Sequence, residues 1–311
     1  MALIVVRPGM LTTVQDLGRW GHQGSGVPVG GPMDAYSHRR ANRLVGNDAD
    51  AAALEITLIG PELQADADTV CVVCGAVFDA TVDGELVDVR RPFSMSAGTR
   101  LRFGTRRAGA RASLAIAGGV DVPAIFGSRA TSVAARMGPF GGRPLAAGDV
   151  LPAGRRTNAA AGAAAPELTL PDGGARLRVI RGPHDGAFTP EAITTLTSAR
   201  YVVTPESNRM GYRLDGPSIV HAAGADILSD ATPIGSLQVP ASGRPILLMA
   251  DRQTTGGYPK IATVISADLP IAGQLLPGDW IEFDPCTLTE ADEALRAVET
   301  SLRLRACVGC P

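Results

Sequence analysis

The sequence predicts a mainly β protein of barrel type with a few short helices. Three observations carry that prediction. Most apolar runs are short, β-branched or alternating, and bounded by Gly, Pro or Asp. Helical periodicity is scarce. A stretch without periodicity divides the chain, and similar pieces recur on either side of it. Mostly strands with few helices belong to the β-rich barrel class.

The strand candidates, in order, are VCVVCGAVFDATVDG (70–84), RLRFG (100–104), ASLAIAGGV (112–120), RLRVIRG (176–182), RYVVT (200–204), ILLMA (246–250) and KIATVIS (260–266). ILLMA is apolar at every position and reads as a strand buried on both faces. One helix is expected over Met33–Gly46. Asp34 serves as its N-cap, Tyr36, Ala41, Leu44 and Val45 form its apolar stripe, and Gly46 stops it. A second is expected over Thr189–Ser198. A third is expected over Thr289–Arg303, where Thr289 with Asp292 resembles a capping box.

Residues 152–174, PAGRRTNAAAGAAAPELTLPDGG, are rich in small residues and read as a linker. The expected layout is a first β domain over 1–160, a second over 175–288, and a C-terminal helix and tail over 289–311. A weak echo joins the halves: VPVGGP (27–32) resembles VPASGRP (239–245). Turn-then-strand patterns also recur at 96–104, 146–154 and 276–284. Ordinary β-turn chemistry and true duplication both account for these.

The 311 residues allow one large or two ordinary domains. A formal net charge of −2 with scattered basic residues excludes a nucleic-acid footprint. No apolar run reaches the roughly 18–20 residues of a membrane helix. Arg7-Pro8-Gly9 interrupts the first apolar run, so no secretory leader is expected and a cytoplasmic location is. Cys71 and Cys74 form one C-x-x-C and Cys307 and Cys310 another, with Cys286 alone. Four thiolates can hold zinc. However, residues i and i+3 of a strand point to opposite faces, so CVVC cannot converge on one ion and no metal site is expected.

The strongest chemical signal is DRQTTGGYPK (251–260), between ILLMA and KIATVI. A hairpin loop of that length needs Gly256-Gly257 for positive φ. It does not need the rest of the set. Arg252 can hold a carboxylate or phosphate bidentately, and Lys260 adds a point charge. Gln253, Thr254 and Thr255 can bond an amide-like ligand, and Tyr258 adds a phenol. Gly256 and Gly257 let backbone N–H groups approach an anion. Polar groups at the end of a buried strand mark a site. SNRMGYRL (207–214) is weaker, with Asn208, Arg209, Tyr212 and Arg213 around Gly211. Thr13–Asp34 holds six glycines with Gln15, Asp16, Arg19 and His22, and suits a fixed-shape binding loop. It lacks G-x-G-x-x-G spacing. His184 and Asp185 in GPHDGAF can supply an acid or base, or an Asp-capped turn. The chain has no P-loop, H-E-x-x-H, G-x-S-x-G or Met-Lys-Met biotin-accepting sequence.

TVQDLGR (13–19), GVPVGGPMD (26–34), ANRLVGN (41–47), LEIT (54–57), AGGVDVP (117–123), SNRMGYRL, LQVPASGRPI (237–246) and MADRQTTGGYPKIATVISADLP (249–270) resemble the biotin-dependent carboxyltransferase family. That family includes the C-type subunit of 5-oxoprolinase, KipA, the second subunit of allophanate hydrolase and the carboxyltransferase part of urea carboxylase. The resemblance runs from about residue 3 to about 285. It implies two tandem cyclophilin-like β-barrel domains, a B-type (KipI-like) partner, a larger A-type partner, and a small amide or urea substrate. In the 128–131 turn, Ala130 stands where the family has a hydroxyl. The tail after Pro285 is outside the resemblance.

The expected function is that of one component of an ATP-dependent 5-oxoprolinase, opening a cyclic amide to glutamate. The ATP site cannot be placed on the sequence. One alternative is a carboxyltransferase component using biotin on a separate carrier. The other is a KipA-like module that sequesters a kinase inhibitor. The resemblance together with residue chemistry nominates Asp251, Arg252, Gln253 and Lys260 for catalysis, with Arg252 and Lys260 on the anionic group and Asp251 positioning Arg252 or acting as base. Asn208, Arg209 and Gln238 would complete the wall, with Thr254, Thr255, Gly256, Gly257, Tyr258, Gln15, Asp16 and Arg19 binding substrate.

Overall fold

The computed structural model describes residues 1–155 and 166–303. Cys307, Cys310 and the middle of the 152–174 stretch lie outside the described residues. The chain divides into two compact units. One holds Met1–Arg19, Gly30–Leu170 and the C-terminal residues from Thr300. The other holds Trp20–Val29 and Pro171–Glu299.

The first unit is a sheet of nine strands. They are β1 (Ala2–Arg7), β2 (Leu11–Gln15), β3 (Ala53–Thr57), β4 (Glu62–Ala65), β5 (Thr69–Val82), β6 (Glu85–Leu86), β7 (Phe93–Met95), β8 (Arg100–Ile116) and β9 (Val150–Pro152). β5 and β8 pair from Cys71 opposite Ile116 to Val82 opposite Leu101, with register shifts between Gly75 and Ala80. RLRFG and ASLAIAGGV are therefore one continuous strand. Gly104 and Gly109 fall within it at the stretch where it pairs with the shifted part of β5. Such shifts bend a sheet and increase its twist. Leu3, Val14, Leu54, Ile56, Phe78 and Leu114 sit in the apolar core on the concave side. Each such side chain contributes about 1.5–3 kcal/mol by leaving water.

Helix α1 (Ala35–Leu44) covers the other face, where Ala41 and Leu44 pack with Val72, Cys74 and Ala115. Asp34 caps it by accepting from Ser37 N–H at 2.8 Å. Cys71 belongs to the concave core and Cys74 to the α1 face, so the CVVC thiols point apart. Burial pushes both thiols up to about 12. α2 (Pro139–Gly142) is a single irregular turn.

The second unit is a closed barrel of seven strands in the order β10-β17-β14-β15-β12-β11-β18. Its strands are β10 (Gly174–Arg181), β11 (Arg200–Val203), β12 (Gly211–Asp215), β14 (Ser236–Gln238), β15 (Ile246–Leu248), β17 (Lys260–Val264) and β18 (Trp280–Pro285). The short pieces β13 (Asp230–Ala231) and β16 (Thr255–Gly256) pair as a separate ribbon. β18 closes the barrel against β10 in parallel. Leu177, Leu237, Leu247, Ile261 and Phe283 are fully buried in this unit. α3 (Pro190–Ser198) packs on β18 and α4 (Leu269–Ala272) on β10, and the second unit also holds α5 (Leu288–Leu302) up to Glu299.

Two local expectations change. ILLMA leaves β15 after Leu248, although Met249 and Ala250 remain buried. The capping box of α5 is Thr287 with Glu290 rather than Thr289 with Asp292. Glu290 accepts from Thr287 N–H at 2.7 Å, and Thr287 Oγ1 accepts from Glu290 N–H at 3.2 Å. Both pairs have the S/T-x-x-acid spacing, and the earlier one precedes Leu288, where the helix starts.

Candidate functional site

The 251–259 segment is a crossover rather than a hairpin loop. β15 and β17 do not pair with each other; each pairs with β14, which lies between them. The chain leaves β15, forms the β16 half of the ribbon, and returns along β17 on the far side of β14. Neither Gly256 nor Gly257 has positive φ. Gly256 instead packs closely against amide side chains, whose ends would have to shift for a larger residue. A Cβ there would lie 2.5 Å from Gln238 Nε2 and 3.2 Å from Gln253 Nε2.

The charged members are held by their own unit. Asp251 accepts from Arg209 Nε at 2.9 Å and from its Nη2 at 3.1 Å, with both side chains buried. Its carboxylate thus positions Arg209 rather than Arg252. Arg252 Nε donates to the Thr232 carbonyl at 2.6 Å. Burial pulls the Arg252 guanidinium below its ordinary pKa, opposed by the Asp251 charge. Lys260 is fully buried, and its Nζ donates to Asp230 Oδ2 at 3.0 Å and to the Ala231 carbonyl at 2.8 Å. These bonds tie β17 to the start of the ribbon. Hydrogen bonding from Lys260 holds the Asp230 carboxyl below the usual carboxylate range. His184 Nδ1 accepts from Lys260 N–H at 3.4 Å, and its Nε2 lies 3.7 Å from Asp230 Oδ2. A neutral His184 accepting at Nδ1 carries its proton on Nε2, toward Asp230.

The amides and the phenol behave differently. Gln253 Nε2 donates to Gln238 Oε1 at 3.1 Å, and Gln238 Nε2 makes only a long 3.5 Å contact with the Tyr258 carbonyl. Asn208, Gln238, Gln253 and Tyr258 line one cleft of about 200 Å³, with Glu206 and Arg213 also on its wall. Arg252, Gln253 and Thr254 line a second of about 270 Å³, with Trp20 and Gln23. Gln253 is common to both. Thr255 is exposed and pairs with Ala231 in the ribbon. Asn208 Oδ1 accepts from Met210 N–H at 2.8 Å, which fixes the turn before β12.

Gln15, Asp16 and Arg19 do not belong to this group. They lie in the first unit and grip its 125–131 turn. Gln15 Nε2 donates to Thr13 Oγ1 at 2.9 Å and the Thr131 carbonyl at 3.0 Å. Asp16 accepts from Gly18 N–H at 2.9 Å, Ser128 Oγ at 2.5 Å and Arg129 N–H at 2.5 Å. Arg19 donates to the carbonyls of Ile125 and Ala130. The neighbouring Trp20–Val29 segment, in contrast, belongs to the second unit. Asp230, Thr232 and Trp20 were absent from the sequence-based set. Asp230 and Thr232 reach the site only through the ribbon pairing, and an exposed indole has no local pattern.

The chain has relatives among known proteins. Residues 25–285 match the model described as carboxyltransferase domain, subdomain A and B. The chain is 39% identical to the C-type subunit of 5-oxoprolinase from Escherichia coli, over 94% of each chain. It is similar to the solved Kluyveromyces lactis urea carboxylase, with 34% identity and a TM-score of 0.90 over 97% of this chain and 29% of that one. It is also similar to TTHA0988, with 41% identity and a TM-score of 0.81 over 91% of this chain and 55% of that one, so it spans about half of that structure. The chain belongs to the carboxyltransferase domain family with subdomains A and B.

Proposed function

We propose that this chain is the C-type subunit of an ATP-dependent 5-oxoprolinase, working with a B-type (KipI-like) partner and a larger A-type partner to open a cyclic amide to glutamate. The carrying observation is the 39% identity to a 5-oxoprolinase C-type subunit over 94% of both chains. ATP is a substrate of the whole complex and supplies the driving force.

The residues of this chain fit an amide. A lactam presents one carbonyl acceptor and one N–H donor. The Gln238–Gln253 pair offers amide N–H and C=O groups at one cleft wall, oriented by their mutual bond and by the tight fit of Gly256. Arg252 and Thr254, in the neighbouring cavity, are donors suited to the acceptor-only oxygens of a phosphoryl or carboxyl group. Asp251 with Arg209, and Lys260 with Asp230, hold the segment that carries them.

A second reading is carboxyl transfer using biotin on a separate carrier. The TM-score of 0.90 to urea carboxylase favours it. The ureido and carboxyl oxygens of carboxybiotin are acceptors that the same donors would hold. A KipA-like sequestering role would instead leave Arg252 dispensable.

The test is co-purification with the B-type and A-type partners, followed by ATP- and 5-oxoproline-dependent glutamate release. Arg252→Ala is expected to lower turnover at least about tenfold while the complex stays assembled. An intact complex that releases no glutamate would overturn the reading. Urea-dependent consumption of carboxybiotin would then establish the second.

A further inference from the structure

We infer that Arg213 is the specificity-determining partner of a substrate carboxylate, so that the 200 Å³ cleft selects cyclic amides bearing an acid group over neutral amides and ureas. This deepens the 5-oxoprolinase reading and rests on it for the ring chemistry.

The argument is one of elimination among the cations around the crossover. Arg209 is bidentate on Asp251. Lys260 is buried on Asp230 and Ala231. Arg244 is ion-paired with Asp215. Arg252 is bonded to Thr232 and lines the other cavity. Arg213 lines the amide cleft and a neighbouring one; no ion pair or side-chain hydrogen bond among the described residues uses its guanidinium, although its charge acts on Glu206 of the same wall. Its backbone is nevertheless fixed. Its N–H donates to Ser207 Oγ at 3.0 Å, and it stands opposite Ile246 in the β12–β15 pairing. Tyr212 and Leu214 on either side are buried, so alternation sends Arg213 outward from the barrel. A rigid strand therefore presents a planar donor whose N–H groups make no side-chain hydrogen bond, on the same cleft wall as the Gln238–Gln253 amides, with Glu206 as a counter-charge.

The rest of the cleft agrees. Ile246 and Leu248 give an apolar surface for ring methylenes. Glu206 shares the wall; hydrogen bonds from Thr204 and its own backbone, with the Arg213 charge, hold its carboxyl below the usual carboxylate range, and its remaining lone pairs can accept a ring N–H. The volume is below the range usual for drug-sized ligands, as a five-membered ring acid requires. Urea has no carboxylate to pair bidentately with Arg213.

The experiment compares wild type, Arg213→Ala and Arg213→Lys, each as the full chain in complex with its B-type and A-type partners. Binding of 5-oxoproline and of 2-pyrrolidinone, the same ring without the carboxylate, is measured by ligand-observed NMR titration. Wild type is expected to bind 5-oxoproline about tenfold or more tightly than 2-pyrrolidinone, the size of a charge-assisted bond. Arg213→Ala is expected to lose that preference with 2-pyrrolidinone binding unchanged, and Arg213→Lys to keep part of it. Glutamate release by the same samples should show a raised KM with kcat within about threefold. A preference equally strong in Arg213→Ala, or no binding of either ring by wild type, overturns the inference. A wild-type complex that prefers the acid through Arg213 yet releases no glutamate keeps the carboxylate subsite and removes the reaction assigned above.

Discussion

The runs Gln15–Arg19 and Asp251–Tyr258 carry nearly the same polar inventory, an amide, an aspartate and an arginine, but use it differently. In the first, amide, carboxylate and guanidinium all bond the backbone or hydroxyls of one adjacent turn, at Ser128–Thr131 and Ile125. In the second, only Asp251 is wholly internal, on Arg209. Arg252 bonds Thr232 and still lines a cavity, as Gln253, Thr254 and Tyr258 do. One run is entirely a clamp; the other is a clamp carrying a binding wall. In both, a buried aspartate partly offsets the burial of a nearby base. Asp16 raises the His38 pKa against desolvation, as Asp251 does for Arg252.

The largest test of that contrast is the clamp in the second run. Arg209→Ala leaves the Asp251 carboxylate buried and unpaired, and is expected to lower stability by about 3–5 kcal/mol. The double variant Arg209→Leu/Asp251→Leu should recover much of that loss in denaturant unfolding. A single variant within about 1 kcal/mol of wild type would mean the pair holds nothing.

The next effect is acid sensitivity in the first unit. His38 is buried in α1 with its pKa lowered to about 4, chiefly by desolvation. The unfolded chain therefore takes the proton first, near 6.5. Stability from neutral His38 is present above that value and is lost as pH falls through the window down to about 4. The loss is roughly 3 kcal/mol. His38→Gln should flatten the stability–pH curve between 6.5 and about 4. Asp16→Asn removes a charge that favours the imidazolium and should steepen it, beyond any pH-independent loss. An unchanged slope in both would break the parallel between the two runs.

The smallest expected stability effect separates wall from clamp. Gly256→Ala drives a methyl against the Gln238 and Gln253 amides, and should cost about 1–3 kcal/mol. Its larger consequence should be weaker binding of the ring amide. Normal ring binding by a folded Gly256→Ala variant would show that the amide pair does not form the wall.

Much of the β architecture was legible locally. Helix α1 with its Asp34 cap, the opposed CVVC thiols and the buried Leu247–Ala250 part of ILLMA follow from spacing alone, whereas Ile246 reaches a cleft wall. Partner choice was not. Nothing near residue 251 indicates that its carboxylate selects Arg209 across a β12–β15 neighbour instead of adjacent Arg252. Lys260 reads as a ligand-facing cation until its pairing with Asp230, a residue 30 positions away, is seen. Glycine chemistry misled in the same way. Gly256 answers a contact made by Gln238, not a requirement of its own dihedral. The wall residues Gln238 and Tyr258 meet only because β14 lies between β15 and β17.

The parallel closure of β18 on β10 also constrains synthesis on the ribosome. Gly174 waits for Trp280, about a hundred residues later, before it has a neighbour on that side, which at 5–20 residues per second is roughly 5–20 s. The first unit waits still longer for its last piece. Leu302 is fully buried, its carbonyl accepts from Arg43 Nη1, and the Tyr36 hydroxyl lies against Ser301. During that interval the nascent β10 edge and the site under Leu302 are exposed to whatever else is in the cell, so a chaperone that shields emerging strands should matter most while residues 174–302 are being made.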